Sequence, residues 1–371
     1  MFSNNNSISI RQLKLLLILD IFGMGITTLP RKVVEIGGQD GWFLIIIGLL
    51  FSLVSLYFIN QVAMFFPQDN FFEYTSKLIG KPLAFLITVG FIFKIIINTG
   101  LELRIFSEIL KEIMLFNTPS WLICLSMLLL GSYMASKGIE ARGRMAEILI
   151  WIVFIPLAFV FLICLFDVDF SNLKPVLSSE NLSLSTLLSG GMYSLFYFSG
   201  IQYIFFIYPY INTTSNTNYI KKATFSAVIF IGLIISLICL LTIARFGKQD
   251  INHQMWSVLE IMDAINLPGS FIERQEAFII TFWIISIFMI VNAGVFFSSL
   301  LIKDVFKKHS HTTYILLCIP LIFFIALIPY NIASVYKLIN LFYFSFELFY
   351  LIFMPVILYL ICKARGLIKL D

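Results

Sequence analysis

Apolar runs of one characteristic length alternate with short polar stretches along the whole chain. Ten runs can be set out: Arg11–Pro30, Gly41–Phe66, Leu83–Phe116, Ser120–Ser136, Glu147–Phe166, Leu182–Tyr210, Ala223–Phe246, Phe278–Ile302, Tyr314–Pro329 and Leu338–Cys362. Each approaches the roughly 20 apolar residues that cross a bilayer as a helix. Between them lie "FPQDN", "IGKP", "FNTPS", "SKGIEARGR", "DVDFSNLKP", "YPYINTTSNTN", "KDVFKKHSHT" and "PYN", rich in the residues that end helices and make turns. The pattern predicts an all-α polytopic membrane protein, a single transmembrane domain over residues 1–371 with ten spans.

Two runs are flawed as membrane helices. The first contains "DIFGMGITTLP", Asp20 to Pro30, with two glycines, two threonines, a carboxylate and a proline. The sixth contains "SGGMYSLFYFSGIQYIFFIYP", Ser189 to Pro209, with Gly190, Gly191, Ser194, Ser199, Gly200 and Gln202. Ten spans divide into residues 11–167 and 182–362, and because five is odd the second half starts from the opposite face. That is the condition for an inverted repeat, in which matching interrupted helices point to a midplane binding site. An unwound turn frees N–H and C=O groups that lipid cannot satisfy, so it must face a cavity or ligand. A half-helix starting after such a break offers free N–H groups and a positive dipole end to a carboxylate. Freed carbonyls and hydroxyls suit an ammonium group. The bland alternative is that these glycines are packing notches between close helices.

Composition agrees: 60% of residues are hydrophobic, 12% charged, and 40 of 371 are Phe. Mean hydropathy is +0.96, whereas soluble domains are about a quarter charged. Placing both termini in the cytoplasm puts 15 Lys and Arg on the cytoplasmic side and 8 on the other, as the positive-inside rule requires. The opening "MFSNNNSISIRQLK" has no short apolar core with a cleavage site, so the first span is expected to remain. Cys124, Cys164, Cys239, Cys318 and Cys362 are scattered through apolar runs and are expected to be buried. His253, His309 and His311 fall in loop segments. Neither set forms a metal-ligand pattern, so no metal and no cofactor is expected, and the basic pI needs no nucleic-acid partner. From Gly247 to Ala277 runs a long extracytoplasmic segment. Its Met255, Val258, Leu259, Met262 and Ile265 recur at helical spacing, with Glu260 and Asp263 on other faces. It reads as a surface helix or as a cap over a substrate vestibule.

Charged residues deep in spans cost about 2.5–3.5 kcal/mol on insertion scales and normally find interior partners. Asp20, Lys94 and Glu347 are such residues. They could serve as gate, proton carrier or fixed cation, or form a structural ion pair of Lys94 with Asp20 or Glu347. Glu102, Arg104, Glu108, Lys111 and Glu112 are expected to make a solvated end of the third span, with Glu108–Lys111 an attractive pair. Asn292, Ser298 and Ser299 lie among large apolar residues of span eight. The serines could offer oxygens to a cation or bond back to their own helix.

Ten spans, a first helix broken at "GMG" with "TTLP" following and a sixth reading "FYFSGIQ" resemble the amino acid–polyamine–organocation superfamily. Within it they resemble the spore germination permease family, the B subunits of germinant receptors. The resemblance implies a five-plus-five inverted repeat (LeuT-like) with a central site for an amino acid or similar small nutrient. By similarity, Gly23, Met24, Gly25, Ile26 and Thr27 form the first unwound segment and hold the ligand carboxylate. Phe198, Ser199 and Gly200 form the second and accept its ammonium, and Phe196 is an aromatic lid. It further implies A- and C-type partner subunits in the spore inner membrane. Two departures weigh against ordinary proton-coupled transport: Gln202 stands where relatives have an acidic residue, and the fifth span as bounded above has no lysine. The expected function is therefore a germinant-sensing subunit, with an ion-coupled amino-acid symporter as the alternative. HExxH and GxSxG motifs are absent, and no enzyme is expected.

Overall fold

The computed structural model describes residues 7–23, 28–166, 168–178, 182–212, 217–254, 256, 258, 260 and 275–367. Its α-helices are α1 (Ile10–Phe22), α2 (Leu29–Gly37), α3 (Gly41–Phe65), α4 (Phe71–Ile79), α5 (Lys81–Ile113), α6 (Ser120–Ser136), α7 (Gly138–Cys164), α8 (Leu184–Leu195), α9 (Ile204–Ile207), α10 (Thr217–His253), α11 (Gln275–Phe306), α12 (His311–Leu327), α13 (Ile332–Phe342) and α14 (Met354–Ala364). The described residues form no strand, only an isolated parallel bridge between Ile8 and Ile211.

Among the described residues, five helical stretches are long and apolar enough to cross a membrane: Leu29–Phe65, Lys81–Ile113, Gly138–Cys164, Thr217–His253 and Thr281–Phe306. The pair α12 and α13 passes the same test together but bends by 118° at "IPYN". On α7, Ile148, Trp151, Ile155, Phe159 and Leu162 are exposed at helical spacing, with Trp151 60% exposed. An outward stripe of large apolar side chains has hydrocarbon as its solvent. The chain is a polytopic membrane protein.

α1 is the opposite case. Leu16 through Phe22 are all buried, on every side of the helix, so α1 runs through the middle of the bundle. It packs on α7, α10 and α11. Ser9 and Gln12 close its start with a reciprocal capping box, and Gly23 caps its end. Thr28 and Pro30 open α2, so the helix that ends at Phe22 and the one that begins at Leu29 are separate elements. Met24, Gly25, Ile26 and Thr27 lie outside the described residues.

The second interruption takes another form. Phe196–Tyr203 winds as eight residues of 3₁₀-helix, against the three or four that such runs usually reach. Phe198, Ser199 and Gly200 are thus overwound within a continuous helical run, not unwound. Gly190 and Gly191 do act as notches, since a Cβ on either would collide with Leu44 or Ile47 of α3.

Two boundaries moved and one helix is new. The fifth span starts at Gly138, nine residues before the expected Glu147, because Ile139, Arg142, Gly143 and Ala146 continue the buried face of α7. The helical run expected as the tenth span starts at Ile332, with Asn331 and Ser334 forming its capping box. α4 was not anticipated, although Asn70 and Glu73 carry a capping-box signal. Two π-helical segments, Tyr343–Glu347 and Phe349–Phe353, interrupt the tenth span.

α10 holds one residue outside helical geometry, Gly247, at φ 71° and ψ 167°. That region is essentially glycine-only, and Asn172 stands 3.3 Å from where a Cβ would be. Asn172 also donates to the Ala244 carbonyl at 3.0 Å, which ends the straight part of the helix near the predicted Phe246. Gly247→Ala is expected to lower stability by about 1–3 kcal/mol, measurable as a reduced unfolding midpoint of the purified protein in detergent.

Most of the predicted amphipathic segment, including Met255, Leu259, Met262, Asp263 and Ile265, lies outside the described residues. Val258 is buried. All five cysteines are buried, as expected. His311 begins α12 instead of lying in a loop, and its Nε2 is 2.9 Å from the Ser299 hydroxyl.

Candidate functional site

The last turn of α1 and the 3₁₀ segment meet. A Cβ on Gly200 would lie 2.9 Å from Ile21 Cγ1 and 3.3 Å from the Asp20 carbonyl oxygen. The 3₁₀ segment therefore rests directly on the last turn of α1. Gly23 faces the other way, against Ile290 and the Ser286 carbonyl of α11. Only a residue without a side chain allows each approach.

Two buried ion pairs flank this contact. In the first, Arg142 Nη2 donates to both oxygens of Asp20, at 3.0 and 3.1 Å. Arg142 Nε donates to Asn292 Oδ1, and Asn292 Nδ2 donates to the Gly131 carbonyl at 3.0 Å. Arg142 is 0% exposed. Its guanidinium lies over Phe297 at 5.0 Å and Phe296 at 5.4 Å, faces that attract a desolvated cation. The network joins α1, α6, α7 and α11.

In the second pair, Lys94 Nζ is 2.7 Å from Glu347 Oε1. Lys94 also donates to Gln202 Oε1, Gln202 Nε2 donates to Glu347 Oε1 at 3.3 Å, and Asn98 donates to Glu347 Oε2 at 2.9 Å. This network joins α5, the 3₁₀ segment and the first π segment of the tenth span. A π turn is wider than an α turn and is frequent at functional sites.

Lys94 thus pairs with Glu347 and not with Asp20. Asp20 pairs with Arg142, a residue of the polar stretch "SKGIEARGR" expected between spans. The missed signal was helical spacing: Ile139, Arg142, Gly143, Ala146, Leu149 and Val153 share the buried face of α7. Gln202, first noted as a departure, is the polar bridge of the second pair. Asn292 belongs to the first pair. Ser298 does not join either network, because its hydroxyl donates to the Gly294 carbonyl at 2.6 Å, and Ser299 likewise bonds back to Val295 at 2.7 Å.

The 3₁₀ segment touches both networks. Gly200 rests on Asp20, Gln202 bridges Lys94 and Glu347, and Tyr203 stacks on Phe297 at 4.3 Å on the ring that lies under Arg142. Phe198 and Ser199 are buried, and Phe196 packs edge-on against Tyr343 at 5.4 Å. Tyr197 is 3.3 Å from the Thr28 hydroxyl, which ties the segment to the start of α2.

The third span's end is not solvated throughout. Glu102 and Arg104 are buried, and Arg104 pairs with Glu108 at 2.9 Å, displacing the expected Glu108–Lys111 contact. Lys111 and Glu112 are exposed.

Cavities open at both ends of the first span. One of about 440 Å³ adjoins Thr28. The other, about 360 Å³, lies beside Asn70, Tyr210 and Asp304. At this second end Ile8 N–H donates to the Tyr210 carbonyl at 2.8 Å and Asn212 N–H to the Ile8 carbonyl at 3.1 Å. Lys307 and Glu73 form a 2.6 Å pair across the cavity, lowering the Glu73 pKa and raising that of Lys307. Among the described residues no group of His, Cys, Asp and Glu could hold a metal ion.

A sequence profile described as "Spore germination protein" matches residues 7–335, through both interruptions and both ion pairs except Glu347. The chain belongs to the spore permease family of spore germination proteins. Among its relatives in the family, spore germination protein YndE of Bacillus subtilis (strain 168) is 27% identical over 342 residues, 91% of this chain and 92% of YndE. GerLB of Bacillus cereus is 27% identical over 320 residues, 85% of this chain and 83% of that protein. Spore germination protein KB of B. subtilis is 24% identical over 307 residues, 82% of this chain and 80% of that one. The spore permease likeness therefore covers nearly the whole helical bundle.

Proposed function

We propose that this spore permease is the germinant-sensing subunit of a germination receptor. In this reading its ten spans form a five-plus-five inverted repeat, residues 11–167 and 182–362, with both termini in the cytoplasm and the chain in the spore inner membrane. A small nutrient, an amino acid or a similar molecule, binds at the midplane between Gly23–Thr27 and Phe196–Gly200. The occupied site signals to A- and C-type partner subunits.

The observation that carries the reading is the contact of one 3₁₀ segment with both buried ion pairs. A ligand shifts a conformational equilibrium only by its differential affinity for the two states. A segment touching Asp20, Gln202's two partners and Phe297 at once is placed to transmit such a difference to six helices. Asp20, Lys94 and Glu347 are each committed to an ion pair, which favours fixed structural charges over an exchangeable coupling ion. The names of the relatives support the germination context.

Gly200→Trp tests the reading. The indole cannot fit against Ile21, so spores carrying this variant are expected to lose their response to one nutrient class. Immunoblots of spore membranes should still find normal amounts of the protein. An unchanged nutrient response would refute the midplane site.

A further inference from the structure

The cavity beside Thr28 has a charge pattern that the midplane site does not explain. Among the described residues Arg31, Lys32 and Lys337 line it, and no Asp or Glu does. Lys32 is neutralised by Glu35 at 2.7 Å, whereas among the described residues Arg31 and Lys337 have no ion-pair partner. Two helices begin at this cavity. Asn331 caps α13 with its side chain. Thr28 makes no side-chain cap on α2, because its hydroxyl is turned to Tyr197. The first N–H groups of α2 after Pro30 therefore keep their hydrogen-bonding capacity, and the helix's positive end adds to the two free cations. Tyr336, Asn340 and the apolar Ile332 and Ala333 complete the wall.

We infer that this cavity is a recognition site for a carboxylate, through which a soluble, carboxylate-bearing nutrient enters and is selected. The inference rests on the sensing function proposed above and names the chemical class of the ligand. The cavity holds two uncompensated positive charges and a helix start without a side-chain cap, so its field favours an anion over an ammonium group. Arg31 supplies a planar donor fork matched to a carboxylate, and Lys337 faces it as a second cation. Neutral sugars and nucleosides gain nothing from this field. Thr28 in its wall is 3.3 Å from the Tyr197 hydroxyl of the 3₁₀ segment, so a captured carboxylate lies close to that segment.

The test uses the full chain in nanodiscs and its thermal unfolding with aspartate, alanine, alaninamide, glucose or adenosine added. A carboxylate probe is expected to raise the unfolding midpoint, and alaninamide is not. Arg31→Gln with Lys337→Gln should weaken the apparent affinity about tenfold, the size of one lost charge-assisted contact, and flatten its salt dependence. Arg31→Lys should recover part of the loss, and Lys174→Gln, a cation outside the cavity, should change nothing. Stabilisation by a neutral probe, unaffected by the paired substitutions, would overturn the carboxylate site and leave the sensing function standing. No stabilisation of the wild type by any probe would overturn both. An effect of the substitutions confined to phosphatidylglycerol nanodiscs and absent in phosphatidylcholine would assign the cavity to lipid headgroups and overturn the proposal.

Discussion

Arg142→Met is expected to reduce the stability of the folded bundle by about 3–5 kcal/mol, the usual consequence of leaving one partner of a buried pair uncompensated. The substitution keeps most of the side-chain volume but strands the Asp20 carboxylate, and it removes the donor to Asn292. Adding Asp20→Asn should restore a large part of the loss, because a neutral amide in that position no longer demands a counter-charge. Unfolding midpoints of the single and double variants in detergent measure the coupling directly. A midpoint for Arg142→Met within a degree or two of wild type would contradict a desolvated pair.

Lys94→Met should be as damaging, since it strands Glu347 among Asn98 and Gln202. Here stability and signalling are expected to separate. Lys94→Met with Glu347→Leu replaces the pair by apolar groups of similar bulk, an exchange that is often neutral or stabilising. Its unfolding midpoint should return near the wild-type value. Spores carrying the double variant should still fail to answer their nutrient, because Gln202 then has neither of its partners to carry a movement of the 3₁₀ segment. Recovery of both properties together would mean that the pair is only a structural brace.

Much of the helix pattern was readable from hydropathy and punctuation, and so were the places of both interruptions. Glycines and prolines act locally, so "GMGITTLP" and "FSGIQ" announce themselves within a few residues. What could not be read was pairing across the chain. Lys94 and Glu347 are 253 positions apart and Asp20 and Arg142 are 122 apart, and no periodicity encodes such meetings. Arg142 was also disguised by its neighbours. In "SKGIEARGR" charge density reads as a loop, yet the same residues continue the inward face of α7. The form of the sixth-span interruption was equally hidden. A run of aromatics with one glycine permits an open turn or a tightened one, and packing on α1 selects the latter. The π turns around Glu347 have no local signature in "YFSFELFYLIF"; tertiary pairing with α5 accompanies the wider winding.

The eight-residue 3₁₀ stretch has a consequence for length. Such a helix advances about 2.0 Å per residue and an α-helix about 1.5 Å. Rewinding Phe196–Tyr203 as α-helix would therefore shorten the sixth span by about 4 Å. It would also rotate Gln202 and Tyr203 by different angles about the axis, since 3.0 and 3.6 residues make a turn in the two forms. The segment is in this sense a short piston with a built-in twist. Its stroke is comparable to the distances that hold both ion pairs together.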